Sequence, residues 1–194
     1  STASADPNLW LEDVDGQRAM DWVRAENARS LPVLENDRRY PALLQSALQV
    51  AQNRDRLPIG GIQNGYLYNF WQDENHVRGI WRRASVESYA SGAPDWQTLL
   101  DVDALAASEG ANWVWEGADC DSSGARCMIS LSNGGLDANT KREFDVASRS
   151  FVAGGFVVPE AKSRTAWLDR DTLLVATDWG QGSLTVSGYP FILK

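Results

Sequence analysis

The sequence of 194 residues is long enough to bury a substantial core in one large domain or two small ones. Its formal net charge of −8 argues against nucleic acid as a partner, since phosphate binding requires clustered basic residues and these occur here at most in adjacent pairs. No apolar run approaches the roughly 20 residues that span a bilayer, so no membrane partner is expected. Both a cytoplasmic and a periplasmic location are compatible with the sequence.

The first part of the chain predicts helices with an uncovered apolar side. Residues 9–11 are expected in a short extended stretch, and helical periodicity runs from residue 16 to about residue 53. Asp15 is placed to cap the first helix, and Asn27 lies within the apolar stripe, where it needs a polar partner. The stripe consists of Ala19, Met20, Val23, Leu31 and Leu34.

Two prolines divide this helical region. Pro32 is expected to kink or end the first helix, because proline has no backbone N–H to donate. Pro41 suits the first turn of a second helix, where that N–H is not needed. The apolar stripe of the second helix is Leu44, Ala47, Leu48 and Ala51. This surface, together with Leu9, Trp10 and Leu11, must pack against something.

From about residue 57 onward the pattern changes to short strands. Aromatic and β-branched residues alternate with polar or glycine-containing turns, which is typical of consecutive antiparallel strands. The predicted strands are 65–73, 77–85, 95–103, 112–117, 125–135, 140–148 and 150–159, followed by a strand pair within 163–180. Trp113 and Trp115 are expected to point to the same face of their strand. Whether the chain has a ligand-binding groove depends on where four tryptophans lie, namely Trp71, Trp81, Trp113 and Trp115.

The strand pattern repeats once. Residues 76–85 (HVRGIWRRAS) align with residues 139–148 (NTKREFDVAS), which gives a repeat of 63 residues. Repeats of this kind, built from four short antiparallel strands, indicate β-propeller blades, although a β-sandwich would show similar strands. We therefore predict a mainly β fold with an N-terminal helical segment, and an incomplete propeller of about two blades plus the start of a third.

Catalytic chemistry is not evident in the sequence. No serine lies in the G-x-S-x-G pattern of α/β-hydrolases, and the single histidine, His76, falls in a tight turn. Three acidic pairs are candidates for glycosidase chemistry, but each lies near a helix start or strand end, where acids usually cap or solubilise. The pairs are Glu12/Asp13, Asp101/Asp103 and Asp119/Asp121. We predict no catalytic, cofactor-binding or metal-binding residues and no cofactor.

Three further stretches have structural and functional interpretations. Residues 132–140 have the oxygen-rich look of a calcium loop but lack its acidic spacing, so a hairpin connection is favoured. The glycine-rich residues 178–188 lack the lysine of a phosphate loop and are expected to join strands. Cys120 and Cys127 are either two separate thiols or a local disulfide that closes a hairpin.

Residues 6–27 (DPNLWLEDVDGQRAMDWVRAEN) resemble the N-terminal signature of the prolyl oligopeptidase family of serine peptidases, peptidase family S9. The family has a D-P-Y-x-W-L-E-D segment before a helix with W-V-x-x-x-N, and Asn8 departs from it where an aromatic residue is usual. Residues 94–190 also look like the first propeller blades of the family, in stretches such as PDWQTLLDVDAL, NWVWEGADC and GSLTVSGYP.

The resemblance implies a domain organisation. In this family a seven-bladed propeller covers an α/β-hydrolase domain that carries the serine, aspartate and histidine of the triad, so no catalytic residue carries over to this sequence. Residues 1–55 would be the helical segment that packs on the hydrolase domain, and residues 56–194 the first blades. The missing hydrolase domain and the remaining blades are then the expected partners.

The resemblance also implies a function. The chain would be an N-terminal fragment of a serine peptidase that hydrolyses short proline-containing peptides, with the propeller gating access. By itself it would be inactive and would self-associate. The alternative is a stand-alone, tryptophan-rich binding module, which the four tryptophans would favour if they line an exposed groove rather than fill gaps between blades.

Overall fold

The computed structural model describes residues 6–13, 16–53 and 55–194, and Asp15 lies outside this described part. The chain forms two compact units, Ser1–Asn53 and Arg54–Lys194. Within the described residues no helix has the length and apolar character needed to cross a bilayer.

The first unit is helical. A 3₁₀ helix, Leu9–Glu12, precedes helix α1 (Gln17–Glu35) and helix α2 (Tyr40–Ala51). The expectation of an extended stretch at residues 9–11 is therefore wrong. The backbone turns there, with the Leu11 N–H donating to the Asn8 carbonyl at 2.8 Å, and the Trp10 ring stacks under the Arg18 guanidinium at 4.1 Å.

The prolines act differently in the two helices. Helix α1 continues through Pro32 to Glu35, so this proline does not end it directly, although the helix stops within one further turn. Pro41 lies in the first turn of α2, as predicted. Asn27, expected to meet a polar partner, is exposed to solvent instead.

The apolar stripes of this unit are mostly exposed. Ala19 is the buried residue of α1, while Leu34 is 62% exposed and Val50 is 73% exposed. Other large apolar side chains on the same two helices are exposed as well, namely Leu31, Val33, Leu43, Leu44 and Leu48. We call this set, with Leu34 and Val50, the apolar helix face.

The second unit begins with a four-stranded antiparallel sheet. Its strands are β1 (Gly61–Gln63), β2 (Tyr66–Trp71), β3 (Ile80–Ser85) and β4 (Gln97–Asp101), in the order β1-β2-β3-β4. Strand β1 was not predicted.

A five-stranded antiparallel sheet follows. Its strands are β5 (Trp113–Cys120), β6 (Arg126–Asn133), β7 (Asn139–Asp145), β8 (Ser150–Phe151) and β9 (Val157–Ala161), and both β8 and β9 pair with β7. The single strand predicted at 150–159 is thus two short strands. A two-stranded sheet of β10 (Arg164–Asp169) and β11 (Thr172–Ala176) ends the series.

Two helices interrupt segments that the sequence pattern predicts as strand or loop. Helix α3 (Val86–Ala90) follows β3, and helix α4 (Val102–Glu109) replaces the end of the strand predicted at 95–103. Side-chain capping explains the switch, because Ser85 Oγ accepts the Ser88 N–H and Asp101 Oδ1 accepts the Ala104 N–H. Gly110 then ends α4 in the left-handed conformation, with φ of 63°.

The first three strands of each larger sheet repeat one antiparallel order, β1-β2-β3 and β5-β6-β7. The stretches that align in sequence, 76–85 and 139–148, contain β3 and β7, and each is the third strand of its sheet. The core lies between these sheets. Trp81, Leu99 and Leu100 from the first sheet cluster with Cys127, Ile129, Leu131 and Phe144 from the second. The fold is mainly β with N-terminal helices, as predicted.

Candidate functional site

His76 lies in the β2–β3 turn, where it supports the backbone. Its Nδ1 lies 2.9 Å from Asp73 Oδ1, and Trp71 Nε1 donates to Asp73 Oδ2 at 3.0 Å. Burial acts to raise the pKa of Asp73, but hydrogen bonds from His76, Trp71 and the backbone of Asn75 outweigh it and lower that pKa to about 2. Within the described residues no serine hydroxyl bonds to His76. The Asp73–His76 pair instead holds the β2–β3 turn in place, and we call it the turn clamp.

The acidic pairs in the second unit have structural partners. Asp101 caps α4, and Asp103 accepts hydrogen bonds from the backbone N–H groups of Arg78 and Gly79 at 3.0–3.2 Å. Asp121 accepts the N–H of Ala125 at 3.0 Å in the β5–β6 turn. The first unit holds Glu12 and Asp13 at the end of the exposed 3₁₀ helix.

Asp119 belongs to a polar cluster on the face of the second sheet that points away from the core. Lys141 is buried there, with Nζ donating to Ser130 Oγ at 2.7 Å. Burial lowers the pKa of Lys141, although the carboxylates of Asp119 and Glu116 act in the opposite direction. Burial also raises the pKa of Asp119. The cluster neutralises one buried cation with two neighbouring acids.

Of the remaining candidate stretches, residues 178–188 were expected to join strands but follow β11, the last strand of the described residues, and form turns with an isolated bridge between Leu184 and Pro190. Cys120 and Cys127 form a disulfide across neighbouring strands, which decides between the two possibilities that the sequence left open. Residues 134–138 join β6 to β7 as a hairpin connection, in line with the prediction for 132–140. Within the described part of the chain no group of three or more His, Cys, Asp or Glu side chains is arranged to hold a metal ion.

An aromatic seam joins the first two sheets. Trp81, 4% exposed, lies 5.8 Å from Tyr68, 5.6 Å from Trp115 and 5.8 Å from Phe144 between ring centroids. Phe70 stacks on Trp115 at 5.1 Å with nearly parallel rings. Ring–ring contacts of this kind stabilise the fold beyond what the burial of each ring contributes. The seam fills the gap between the sheets.

The other two tryptophans flank the seam. The Arg82 guanidinium lies over the Trp71 ring at 4.5 Å and over the Trp96 ring at 4.2 Å. Trp113 donates its Nε1–H to Glu109 at 2.7 Å, and Glu109 in turn binds Arg142. The four tryptophans therefore do not share one groove.

Two cavities border the seam. A cavity of about 380 Å³ is lined by Tyr68, Trp81, Gln63 and Cys120, among others. A second cavity of about 440 Å³, which we call the Arg78 cavity, lies where β2 ends and β5 begins. Its walls include Phe70, Val77, Arg78, Asp103, Trp113 and Trp115.

The Arg78 cavity combines rings with charge. The guanidinium of Arg78 donates from Nη1 to the Trp113 carbonyl at 2.8 Å and, within the described residues, forms no ion pair. Gly79, with φ of 99°, lies so close to Phe70 that a Cβ would approach Phe70 Cζ to 2.3 Å, so glycine permits the ring to line the cavity. Sequence reasoning noted that Trp113 and Trp115 share a face but missed Phe70 and Arg78, because no local pattern links them.

The architecture defines a class of protein. Successive antiparallel sheets that pack face to face through a buried seam, with the same strand repeated at the same position, are blades of a β-propeller. The chain belongs to the family described as prolyl oligopeptidase, N-terminal β-propeller domain, which it matches over residues 1–190.

Named relatives agree with this assignment. The chain is 44% identical over 196 residues to the uncharacterized peptidase y4nA of Sinorhizobium fredii, covering 100% of this chain and 27% of the relative. It is 28% identical over 190 residues to the uncharacterized peptidase RP174 of Rickettsia prowazekii, covering 93% of this chain and 26% of that protein. These two relatives are longer, and the chain spans about a quarter of their length.

A solved structure supports the fold. A post-proline cleaving enzyme from Rickettsia typhi superposes with a TM-score of 0.87 at 29% identity, covering 97% of this chain and 29% of that one. The similarity includes both the helices and the sheets, because it extends over nearly the whole chain.

Proposed function

We propose that this chain supplies the helical segment and first propeller blades of a serine peptidase that cleaves short, proline-containing peptides. The observation that carries the proposal is the similarity over 97% of the chain to a post-proline cleaving enzyme, joined to the match with the propeller domain over residues 1–190. In this proposal the triad of serine, aspartate and histidine belongs to an α/β-hydrolase domain outside the chain, and the reaction proceeds through an acyl-enzyme.

In this proposal the chain's own role is to pack against the hydrolase domain and to gate the entry of peptides to its active site. The blades restrict entry to small peptides and keep water away from the reacting groups, which strengthens electrostatic stabilisation in the site. Asp101 and Asp121 of the second unit fit a structural role in the blades, since their carboxylate oxygens accept hydrogen bonds from backbone N–H groups.

The helical segment provides the docking surface in this proposal. We expect residues 1–55 to pack on the hydrolase domain through the apolar helix face and residues 56–194 to form the blades. Leu34 and Val50 are 62% and 73% exposed in this chain. This exposure supports the proposal that another domain covers the face, since contiguous apolar surface usually marks an interaction site.

The burial of Trp81 supports the scaffold role over a stand-alone binding module. A groove that binds ligands through its tryptophans would expose them, whereas Trp81 is 4% exposed and touches three other rings.

The first test is hydrolysis by the chain alone. The purified chain of residues 1–194 should release no chromophore from a proline-containing chromogenic peptide, because the triad is absent from it. Steady hydrolysis that a serine-directed inhibitor abolishes would contradict this.

A chimera tests the positive side of the proposal. Residues 1–190 replace the matching segment of the Sinorhizobium peptidase, to which the chain is 44% identical. The chimera should cleave the same chromogenic peptide and lose activity to the inhibitor, with the unaltered Sinorhizobium peptidase as the matched control. A folded chimera that is inactive beside an active control would refute the proposal.

A further inference from the structure

We propose that the Arg78 cavity is a binding site for a small zwitterion with an apolar side chain, such as a dipeptide. Its volume of about 440 Å³ lies within the range of small-molecule pockets. Nothing in this inference depends on the proposed peptidase function, because the site is built from the first two sheets, the β2–β3 connection and α4, and its test measures binding.

The guanidinium of Arg78 supplies the first determinant. It is half-buried, and its one side-chain hydrogen bond within the described residues goes from Nη1 to the Trp113 carbonyl. The other N–H groups of its fork remain available to a ligand carboxylate, for which guanidinium is the preferred partner.

Asp103 supplies the second determinant. Its two carboxylate oxygens already accept the backbone N–H groups of Arg78 and Gly79, which hold the group in place at the cavity wall. Oδ2 accepts both the Arg78 and the Gly79 N–H, whereas Oδ1 accepts the Arg78 N–H alone and keeps acceptor capacity, since a carboxylate offers about four lone-pair sites. A purely anionic ligand would be repelled by Asp103, whereas a ligand ammonium would be attracted. The pair of opposite charges therefore selects a zwitterion.

The aromatic walls supply the third determinant. Phe70 and Trp115 stack on each other, and Trp113 is held by its hydrogen bond to Glu109, so the three rings are positioned before any ligand arrives. Rings of this kind bury an apolar side chain and also attract an ammonium group through their faces.

The test titrates the full chain with glycyl-phenylalanine and follows tryptophan fluorescence and calorimetric heat. We expect saturable binding to the wild-type chain. Glycyl-phenylalanine amide, which lacks the carboxylate, should bind about 10-fold more weakly or worse, because it loses a charge-assisted hydrogen bond. The N-acetylated dipeptide, which lacks the ammonium group, should also bind more weakly. The absence of saturable binding, or equal affinity for the acid and the amide, would overturn the proposal.

A matched pair of variants locates the site. Arg78→Gln should bring the affinities for acid and amide together, while Arg170→Gln, which removes an exposed arginine from the β10–β11 turn, should keep the wild-type difference. Equal behaviour of the two variants would overturn the assignment to this cavity. The ligand pair decides the question on the unchanged chain if Arg78→Gln does not fold.

Discussion

Individual polar side chains in this protein mainly hold turns and helix ends in place. Asp73 is the clearest case, because one carboxylate receives hydrogen bonds from His76, Trp71 and the backbone of Asn75. Asp121 does the same in the β5–β6 turn. Both residues sit in short connections between strands, where backbone N–H groups would otherwise lack partners.

The turn clamp at Asp73 predicts a dependence of stability on pH. The pKa of Asp73 falls from an ordinary value of 3.8 to about 2 on folding, so the folded state binds fewer protons at this group than the unfolded state does. Its contribution is therefore fully present above about pH 4 and is lost as the pH falls towards 2. Urea unfolding at several pH values should show Asp73→Asn less stable than wild type at neutral pH, with the difference shrinking towards pH 2.

Asp171→Asn is the control for this effect. Asp171 is an exposed carboxylate in the β10–β11 turn, and its removal should leave the unfolding free energy close to that of wild type across the same range. A gap between Asp73→Asn and wild type that stays constant down to pH 2 would contradict the clamp.

At the scale of elements, caps decide where strands give way to helices. Strand β4 ends at Asp101, and the same residue caps α4 by accepting the Ala104 N–H at 2.9 Å. Helix α4 then carries Glu109, which receives two hydrogen bonds from Arg142 of β7. The helix thus ties the first sheet to the second.

Loss of the α4 cap should be measurable. Asp101→Ala should lower the free energy of unfolding by about 1 kcal/mol, because the Ala104 N–H loses its acceptor. Asp101→Ser keeps an acceptor at the cap position and should recover most of the loss in the same urea titration. An alanine variant as stable as the serine variant would show that the cap does not contribute.

At the scale of the whole molecule, apolar side chains are distributed unequally between the two units. The second unit buries a contiguous cluster that includes Trp81, Ile129 and Phe144, whereas the first unit exposes most of its large apolar side chains along α1 and α2. A surface of the latter kind favours association with another apolar surface.

We expect the chain to self-associate through the apolar helix face. Light scattering should give a dimer or a larger species for the wild-type chain. The double variant Leu43→Lys with Val50→Lys, which places charge on two exposed positions of α2, should shift it towards the monomer. Val186→Lys adds a charge at an exposed position of the second unit and should not. A monodisperse wild-type monomer would contradict the expectation.

Local patterns determined much of the fold. Alternating residues and turn signals predicted most strands of the two larger sheets, and the repeat placed β3 and β7 at equivalent positions. Periodicity and Pro41 predicted the second helix. Helix α4 escaped prediction because its first residues, Val102 and Asp103, continue the alternation of apolar and polar residues that indicates a strand, and only the cap at Asp101 reveals the change.

The sequence by itself determined that consecutive antiparallel strands follow two helices, that Trp113 and Trp115 share a face, and which family the chain resembles, because these depend on neighbours along the chain. Tertiary structure alone decided that Phe70 meets Trp115 and that Arg78 borders the same cavity as Asp103. The physical reason is that strand alternation sets the direction of a side chain but not its partner. Partners are chosen when two sheets pack, by the shapes of side chains far apart in the sequence.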